Sequence, residues 1–347
     1  MPISLHSHSG QFCQHGTGSL RSVIERAIER GFISYGLTEH MPRNRLMDLY
    51  PEESHMSPTD LLDQFDRFVI EANQLKELYN SELELLIGLE TEMIERSVTF
   101  ELLDNLLETH RPSIDYLVGS VHHVNQIPID FDLETFNRAL CSFKPPRALT
   151  SDRCVEPEEE GDDSLRLLCE AYFQAQYDLI DSYRPEVIGH FDLCLLFHPK
   201  FDLTQHQSLW NQVERNIRLA ISYGALFEVN SASIRKGWST PYPSKPILSL
   251  IISLGGKLTL SDDSHGPERV SENYSESYNY LRDNGVKELW YLTRNNSCKM
   301  GQGCDDGDDG SVIGPRRRVR SVTIEGDWWE HPFWDRFTSS LNPLQKK

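Results

Sequence analysis

The chain has 347 residues, 38% of them hydrophobic and 25% charged, with a formal net charge of −19. That length supports one large α/β domain with a sizeable core, and so acidic a surface repels long polyanions, which makes nucleic acid a poor partner. No apolar run reaches the roughly 18 residues of a membrane span, no basic start with an apolar stretch marks a secretory signal, and seven scattered cysteines without a CxxC pair fit reduced thiols in the cytoplasm.

In chain order, ISLHSH reads as a short strand ending on His6 and His8, and HSHSGQFCQH puts His15 on the loop that follows. SLRSVIERAIERG then places Leu20, Val23, Ile24, Ala27 and Ile28 on one helical face, with Gly31 as its stop. The strand SYGLTEH ends on Glu39 and His40, and a long helical pattern, SPTDLLDQFDRFVIEANQLKELY, comes next. LELLIGLETE ends on Glu90 and Glu92, FELLDNLLETH is helical, and IDYLVGSVHH ends on His122 and His123. Residues 141–163, Pro-rich and then acidic, break the pattern as a surface insertion or mobile loop. The helix SLRLLCEAYFQAQYDLIDSY leads to PEVIGHFDL, which carries His190 and Asp192. SLWNQVERNIRLAISYG leads to ALFEVNSA with Glu228 and Asn230, and PSKPILSLIISLGG leads to KLTLSDDSH with Asp262, Asp263 and His265. A second insertion spans residues 295–320, its RRRVR run a solvated patch, and WWEHPFW forms an aromatic cap. Strand and helix alternate throughout, which predicts an α/β fold with a parallel sheet closed as a barrel, in a single domain over residues 1–347.

Histidines and carboxylates therefore stand at the C-terminal ends of strand after strand, and a parallel barrel brings those ends to one face. One such histidine is ordinarily a hydrogen-bonded residue, and His55, His110, His198, His206 and His331 are read that way. Repetition changes the balance, because each unpaired buried polar group costs several kcal/mol. A metal cluster removes that cost, and imidazole with carboxylate suits Zn, Mn or Fe. In HSH, alternate residues of a strand share a direction, so His6 and His8 can grip one ion. No cysteine stands at these strand ends, which argues against a structural zinc knot.

The ordered set HSHS, TEH, GLE, VHH, GH and SDDSH resembles the polymerase and histidinol phosphatase (PHP) superfamily over about residues 5–266. HSHSGQFCQH, LTEHMPR, GSVHH and EVNSASIRKG are similar to its histidinol-phosphatase branch, particularly the fungal members. The resemblance implies a distorted (β/α)7 TIM-like barrel with three divalent metal ions at the C-terminal ends of its strands. By position, one ion takes His6, His8, Glu90 and Asp263, and a second takes His15, His40 and His265. A third takes His122 and His190, with Glu90 as a bridge. VHH also offers His123 and SDDSH also offers Asp262; the family pattern favours His122 and Asp263. The implied substrate is L-histidinol phosphate, hydrolysed to L-histidinol and phosphate in histidine biosynthesis. Arg235 and Arg43 are the candidates for holding the phosphate, Asp192 for protonating the leaving alkoxide, and Glu39, Glu228 and Asn230 for the imidazole and ammonium.

Overall fold

The computed structural model describes residues 2–144, 158–295, 312–313, 318–324 and 326–338. Seven parallel strands form a nearly closed barrel: β1 (Ile3–Ser4), β2 (Ser34–Leu37), β3 (Glu84–Glu90), β4 (Tyr116–Gly119), β5 (Val187–Ile188), β6 (Leu226–Asn230) and β7 (Lys257–Ser261). They lie side by side in sequence order. The seam between first and last is bridged by the Leu5 N–H, which donates to the Leu260 carbonyl at 3.2 Å. Beyond it, residues Ser7–His8 and Ser264–His265 pair in parallel.

The helices follow the apolar spacing. In α1 (Leu20–Glu29), Leu20, Val23, Ile24 and Ala27 are buried, and Ser19 caps the start by accepting the Ser22 N–H. Helix α2 (Pro58–Leu78) starts on a capping box of Ser57 and Asp60, and buries Leu61, Phe65, Phe68, Val69, Ala72 and Leu75. Each such large apolar side chain contributes about 1.5–3 kcal/mol by leaving water. The ring continues with α3 (Arg96–His110), α4 (Leu133–Cys141), α5 (Glu158–Tyr183), α6 (Gln207–Ser222), the single turn α7 (Ala232–Arg235), α8 (Lys245–Ser253) and α9 (Tyr274–Asp283). The hydrophobic pattern did not announce α4 or α9. The inner face of α9 is Tyr274, Ser277, Tyr280 and Leu281, and that of α4 is Thr135, Phe136 and Ala139, so aliphatic periodicity is weak in both. Among the described residues no helix is long and apolar enough to cross a membrane.

Two packing features leave the chemistry to one end. Inside the barrel, Leu5, Leu86, Tyr116, Val118, Val187 and Leu226 meet Leu292 and Val319 from a three-stranded antiparallel sheet, β8 (Trp290–Arg294), β9 (Val312–Ile313) and β10 (Val319–Thr323). That sheet plugs the end where the strands begin: Thr293 Oγ1 donates to Glu84 at 2.7 Å, and Lys257 Nζ to Ser321 at 2.9 Å. Tyr116 crosses the interior to donate to the Leu5 carbonyl at 2.7 Å, and only glycine at 36 permits this, because a Cβ there would lie 1.9 Å from the tyrosine oxygen. Trp328, Phe333 and Trp334 of WWEHPFW pack against Tyr274 and Tyr278 of α9.

Of the two expected insertions, residues 145–157, 296–311 and 314–317 lie outside the described residues. Residues 158–163 begin α5, and parts of 312–320 belong to the small sheet, so these ends are regular structure rather than loop.

Candidate metal centre

The centre is built on Glu90, the last residue of β3. Its Oε1 lies 3.1 Å from His6 Nε2, 3.2 Å from His122 Nε2 and 3.1 Å from His190 Nε2. Its Oε2 lies 3.3 Å from His8 Nε2 and 2.9 Å from His40 Nδ1. Residues from four other strand ends thus converge on one buried carboxylate. Asp263 joins from the far side of the seam, with Oδ1 3.6 Å from His8 and 3.9 Å from His6. Its backbone has φ 45°, an uncommon conformation for a residue other than glycine. That kink separates the two aspartates of SDDSH. Asp262 turns away and accepts from Ser4 Oγ at 2.9 Å and the Ser271 N–H at 2.8 Å, which ties the barrel seam.

The third group lies beside the first two. His15, His40 and His265 cluster with their rings tilted to one another, centroids 4.7 Å apart for His15 and His265 and 5.6 Å for His15 and His40. Cys13 belongs to the same group, its sulfur 3.2 Å from His15 Nε2. Strand-end logic passed over it because it sits on the loop; its place two residues before His15, in FCQH, was the available signal.

Outer carboxylates hold the imidazoles. His6 Nδ1 faces Glu228 Oε2 at 3.1 Å, His122 Nδ1 faces Glu92 Oε2 at 3.1 Å, and His8 Nδ1 faces Glu39 Oε2 at 3.5 Å. A proton on each Nδ1 leaves each Nε2 lone pair aimed at Glu90, and lone pair against carboxylate repels unless a positive charge stands between. His122 Nε2 also lies 3.2 Å from His190 Nε2. Buried nitrogens of His6, His8, His40 and His190, and Glu90 Oε2, have no hydrogen-bond partner. With protein groups alone, burial works against charge, yet Glu90 is held well below the usual carboxylate range by His6, His122 and His40. His122 is pulled up to about 10 by Glu92 and Glu90 against the same desolvation. Orphaned nitrogens, one shared carboxylate and mixed N/O donors are what divalent cations fit. The sets His6–His8–Glu90, His8–Asp263–His265 and Glu90–His122–His190 each bring their ligand atoms within 4.8 Å of one another.

Several sequence candidates have other partners than expected. Glu39 accepts from the Ser9 N–H at 2.8 Å and Ser9 Oγ at 2.7 Å, behind His8. Glu228 lies behind His6 and also accepts from Ser261 at 2.7 Å. Asn230 donates to Glu228 at 2.8 Å and to Asp263 at 3.3 Å. All three stand against the ligands, and none of them lines the cavity above the cluster. Arg43 is buried, paired with both oxygens of Glu53 and 3.4 Å from Glu92. It braces Glu92 from behind. Asp192 is fully buried; its Oδ2 accepts the Ser244 N–H at 2.8 Å and its Oδ1 has no hydrogen-bond partner among the described residues. His123 faces Glu92 at 3.6 Å, and burial pushes it down to about 4.

Above the cluster opens a cavity of about 350 Å³. Arg235 reaches it from α7, donating to the Asp263 carbonyl at 3.2 Å and pairing with Glu272 at 3.2 Å. Lys236 and Arg269 add positive charge to the wall. Glu52 and Asp130 line the same cavity, Asp130 paired with Lys236 and Glu52 with His15, each at 3.3 Å, beside Tyr50 and Phe131 stacked at a centroid distance of 5.9 Å. Outside the histidine cluster, only Arg235 of these stood out in the sequence. The others lie on loops after the strands, where no spacing rule selects them.

A model of the PHP domain family matches residues 4–232. The chain is 44% identical over 331 residues to a probable histidinol-phosphatase of Schizosaccharomyces pombe, covering 94% of this chain and 96% of that one. It is 32% identical over 322 residues to the histidinol-phosphatase of Saccharomyces cerevisiae, covering 83% and 90%. Among solved structures it shares the fold of a candidate histidinol phosphatase, HisK, from Listeria monocytogenes, with TM-score 0.60 and 23% identity over 79% of this chain and 98% of that one. It also shares the fold of HisK from Lactococcus lactis, solved with Zn, L-histidinol and phosphate, with TM-score 0.55 and 18% identity over 83% and 95%. The chain belongs to the PHP family, within its histidinol-phosphatases.

Proposed function

We propose that this chain hydrolyses L-histidinol phosphate to L-histidinol and phosphate, using three divalent ions in the cluster around Glu90. The observation that carries the reading is the meeting of five imidazoles on that one carboxylate, at a cavity that Arg235, Lys236 and Arg269 also line. His6, His8, Glu90 and Asp263 would hold one ion, His15, His40 and His265 a second, and Glu90, His122 and His190 a third. Zinc, manganese or iron suits such donors. When bound, such ions neutralise a phosphate dianion and lower the pKa of water enough to supply hydroxide near neutral pH.

The side chains do the rest. Glu228 and Glu92 fix the orientation of His6 and His122 by accepting at Nδ1, and Glu39 stands 3.5 Å behind His8. Arg235, already anchored on the Asp263 carbonyl, presents a planar fork that matches two phosphoryl oxygens. Lys236 and Arg269 add charge that draws an anionic ester into an otherwise acidic protein. The Tyr50–Phe131 pair gives the substrate's imidazole an apolar face, and Asp130, now paired with Lys236 at 3.3 Å, is the acid of the cavity that the substrate's ammonium would compete for.

The test is phosphate release by purified protein, with and without chelator, from L-histidinol phosphate, a generic aryl phosphate and a short oligonucleotide. Chelator-sensitive turnover strongly favouring L-histidinol phosphate is expected. Preference for another phosphate ester would move the chain to a different phosphoesterase substrate, and no turnover of any would leave a metal-binding protein without catalysis.

A further inference from the structure

The loop after β1 delivers one more ligand atom than the histidines and carboxylates supply. It is a tight turn: the Phe12 and Cys13 N–H groups donate to the Ser9 carbonyl at 3.1 and 2.9 Å, and the Gly16 N–H to the Cys13 carbonyl at 3.0 Å. The Thr17 N–H donates to the His265 carbonyl at 2.7 Å, which ties the turn to the strand end bearing His265. Folded this way, the loop turns Cys13 inward, 5% exposed, while its neighbour Gln14 stays exposed. Two other buried cysteines, Cys169 and Cys194, sit in the hydrophobic core. Cys13 instead points at imidazoles.

The spacing has the dimensions of a metal site. Cys13 Sγ lies 3.2 Å from His15 Nε2 and 3.5 Å from Nδ1, and one donor atom each from Cys13, His15, His40 and His265 all lie within 4.8 Å of one another. For tetrahedral zinc, with Zn–S about 2.3 Å and Zn–N about 2.0 Å, a sulfur and a nitrogen ligand stand about 3.5 Å apart. The imidazoles are turned to suit. His15 Nδ1 faces Glu52 at 3.3 Å, and His265 Nδ1 donates to the Asp263 carbonyl at 2.9 Å, which leaves each Nε2 free to bind. Both nitrogens of His40 are buried without a hydrogen-bond partner.

We propose that the thiolate of Cys13 is the fourth protein ligand of the ion held by His15, His40 and His265, making a site of one thiolate and three imidazoles that selects zinc over manganese. This rests on the metal-loaded reading of the centre. Sulfur is the soft donor that separates the two metals, and neither neighbouring set contains one. The thiol proton leaves to solvent as the ion binds. One ion of the cluster is therefore zinc and stays zinc in excess manganese, while the carboxylate-bound ions exchange.

Zinc K-edge X-ray absorption on the full-length wild-type protein reads the ligand directly. After exchange into manganese, the retained zinc should show one sulfur at about 2.3 Å among nitrogen scatterers. Cobalt-substituted protein should show a near-ultraviolet thiolate-to-cobalt band that Cys13→Ser and Cys13→Ala abolish, with the visible cobalt bands of the other ions kept. After manganese exchange, metal analysis should find about one zinc equivalent fewer in Cys13→Ala than in wild type. Zinc with only nitrogen and oxygen scatterers overturns the proposal, as does a thiolate band that survives in Cys13→Ala. Protein that binds no metal at all would sink the metal centre itself, a separate result. The absorption measurement on wild type stands even where the variants fail to fold.

Discussion

Replacing Glu90 by glutamine removes a charge that five imidazoles surround and leaves side-chain volume almost unchanged. Its two oxygens lie between 2.9 and 3.3 Å from nitrogens of His6, His8, His40, His122 and His190. At an effective dielectric of about 20, unit charges about 4 Å apart interact by about 4 kcal/mol. A neutral amide keeps a dipole and loses most of that, so about 2–4 kcal/mol of transition-state stabilisation should go, roughly 30- to 1000-fold in rate. Glu92→Gln is the matched comparison. Glu92 shares strand parity with Glu90, is equally buried, and could itself join a metal set with His40 and His122. Its contacts, however, are His122 Nδ1 at 3.1 Å, His40 Nδ1 at 3.2 Å and Arg43 at 3.4 Å, largely on the outer side of the imidazoles. Loss of such an outer partner costs about 10- to 100-fold.

The assay is steady-state phosphate release from L-histidinol phosphate, with metal content by mass spectrometry and thermal unfolding to confirm folded protein. Glu90→Gln should lose more activity and more metal than Glu92→Gln. Mild and equal losses, below about threefold in both (under 1 kcal/mol), would refute the assignment of Glu90 as the shared bridge. A larger loss in Glu92→Gln would move the bridge to Glu92.

Chelation should abolish phosphate release, and added zinc or manganese should restore it; full activity in verified metal-free protein would contradict the centre. Arg235→Ala should leave bound metal nearly unchanged and slow turnover by roughly 30- to 1000-fold, with Arg235→Lys recovering part of the loss because it keeps charge without the fork. Steady-state kinetics paired with metal analysis checks both. Glu228→Gln should weaken metal retention by about 10- to 100-fold, yet leave KM near wild type at saturating metal; a raised KM there would instead place Glu228 against the substrate. Far from the site, Lys76→Met strips a partner at 2.5 Å from buried Asp115, which also accepts the Ile87 N–H at 2.9 Å. Asp115 keeps Arg318 at 3.6 Å, so urea unfolding should show a loss of about 1–3 kcal/mol, with activity per folded molecule kept.

Strand ends were legible in the sequence because they combine two periodicities. Apolar runs of four to seven residues, such as SYGL and ELLIGLE, mark strands buried on both faces, and the polar residue that ends each run marks the face where they converge. His6, His8 and His190 could be grouped on that ground, whereas between Glu90 and Glu92, His122 and His123, and Asp262 and Asp263 the strand ends left the choice open and only the family resemblance made it. The groups on loops could not. Tyr50, Glu52, Asp130, Phe131, Lys236 and Arg269 reach the cavity through turns whose paths no local spacing fixes. Cys13 was hidden for the same reason, since a cysteine on a loop is indistinguishable in sequence from a small buried hydrophobe.

Parity within a strand says which way a side chain points, and it says nothing about depth. Glu228 and Asn230 alternate correctly on β6 and do face inward, which made them fair candidates for receiving a substrate. Facing inward is not the same as reaching the cavity, however, and β6 delivers its carboxylate behind the histidine cluster. There Glu228 meets His6 Nδ1, the His190 N–H and Ser261, and Asn230 spans from it to Asp263. Glu39 and Arg43 went the same way after β2. A buried carboxylate at that depth has a definite use: it holds the proton on one imidazole nitrogen, so that only the other is free to bind. Part of the acidic excess of the chain is thus spent inside the barrel, against the rear of the histidines. The cavity itself mixes both signs, with Lys236 paired to Asp130 at 3.3 Å and Arg235 to Glu272 at 3.2 Å, and a zwitterionic phosphate ester with an ammonium at one end would exchange such pairs for its own two charges.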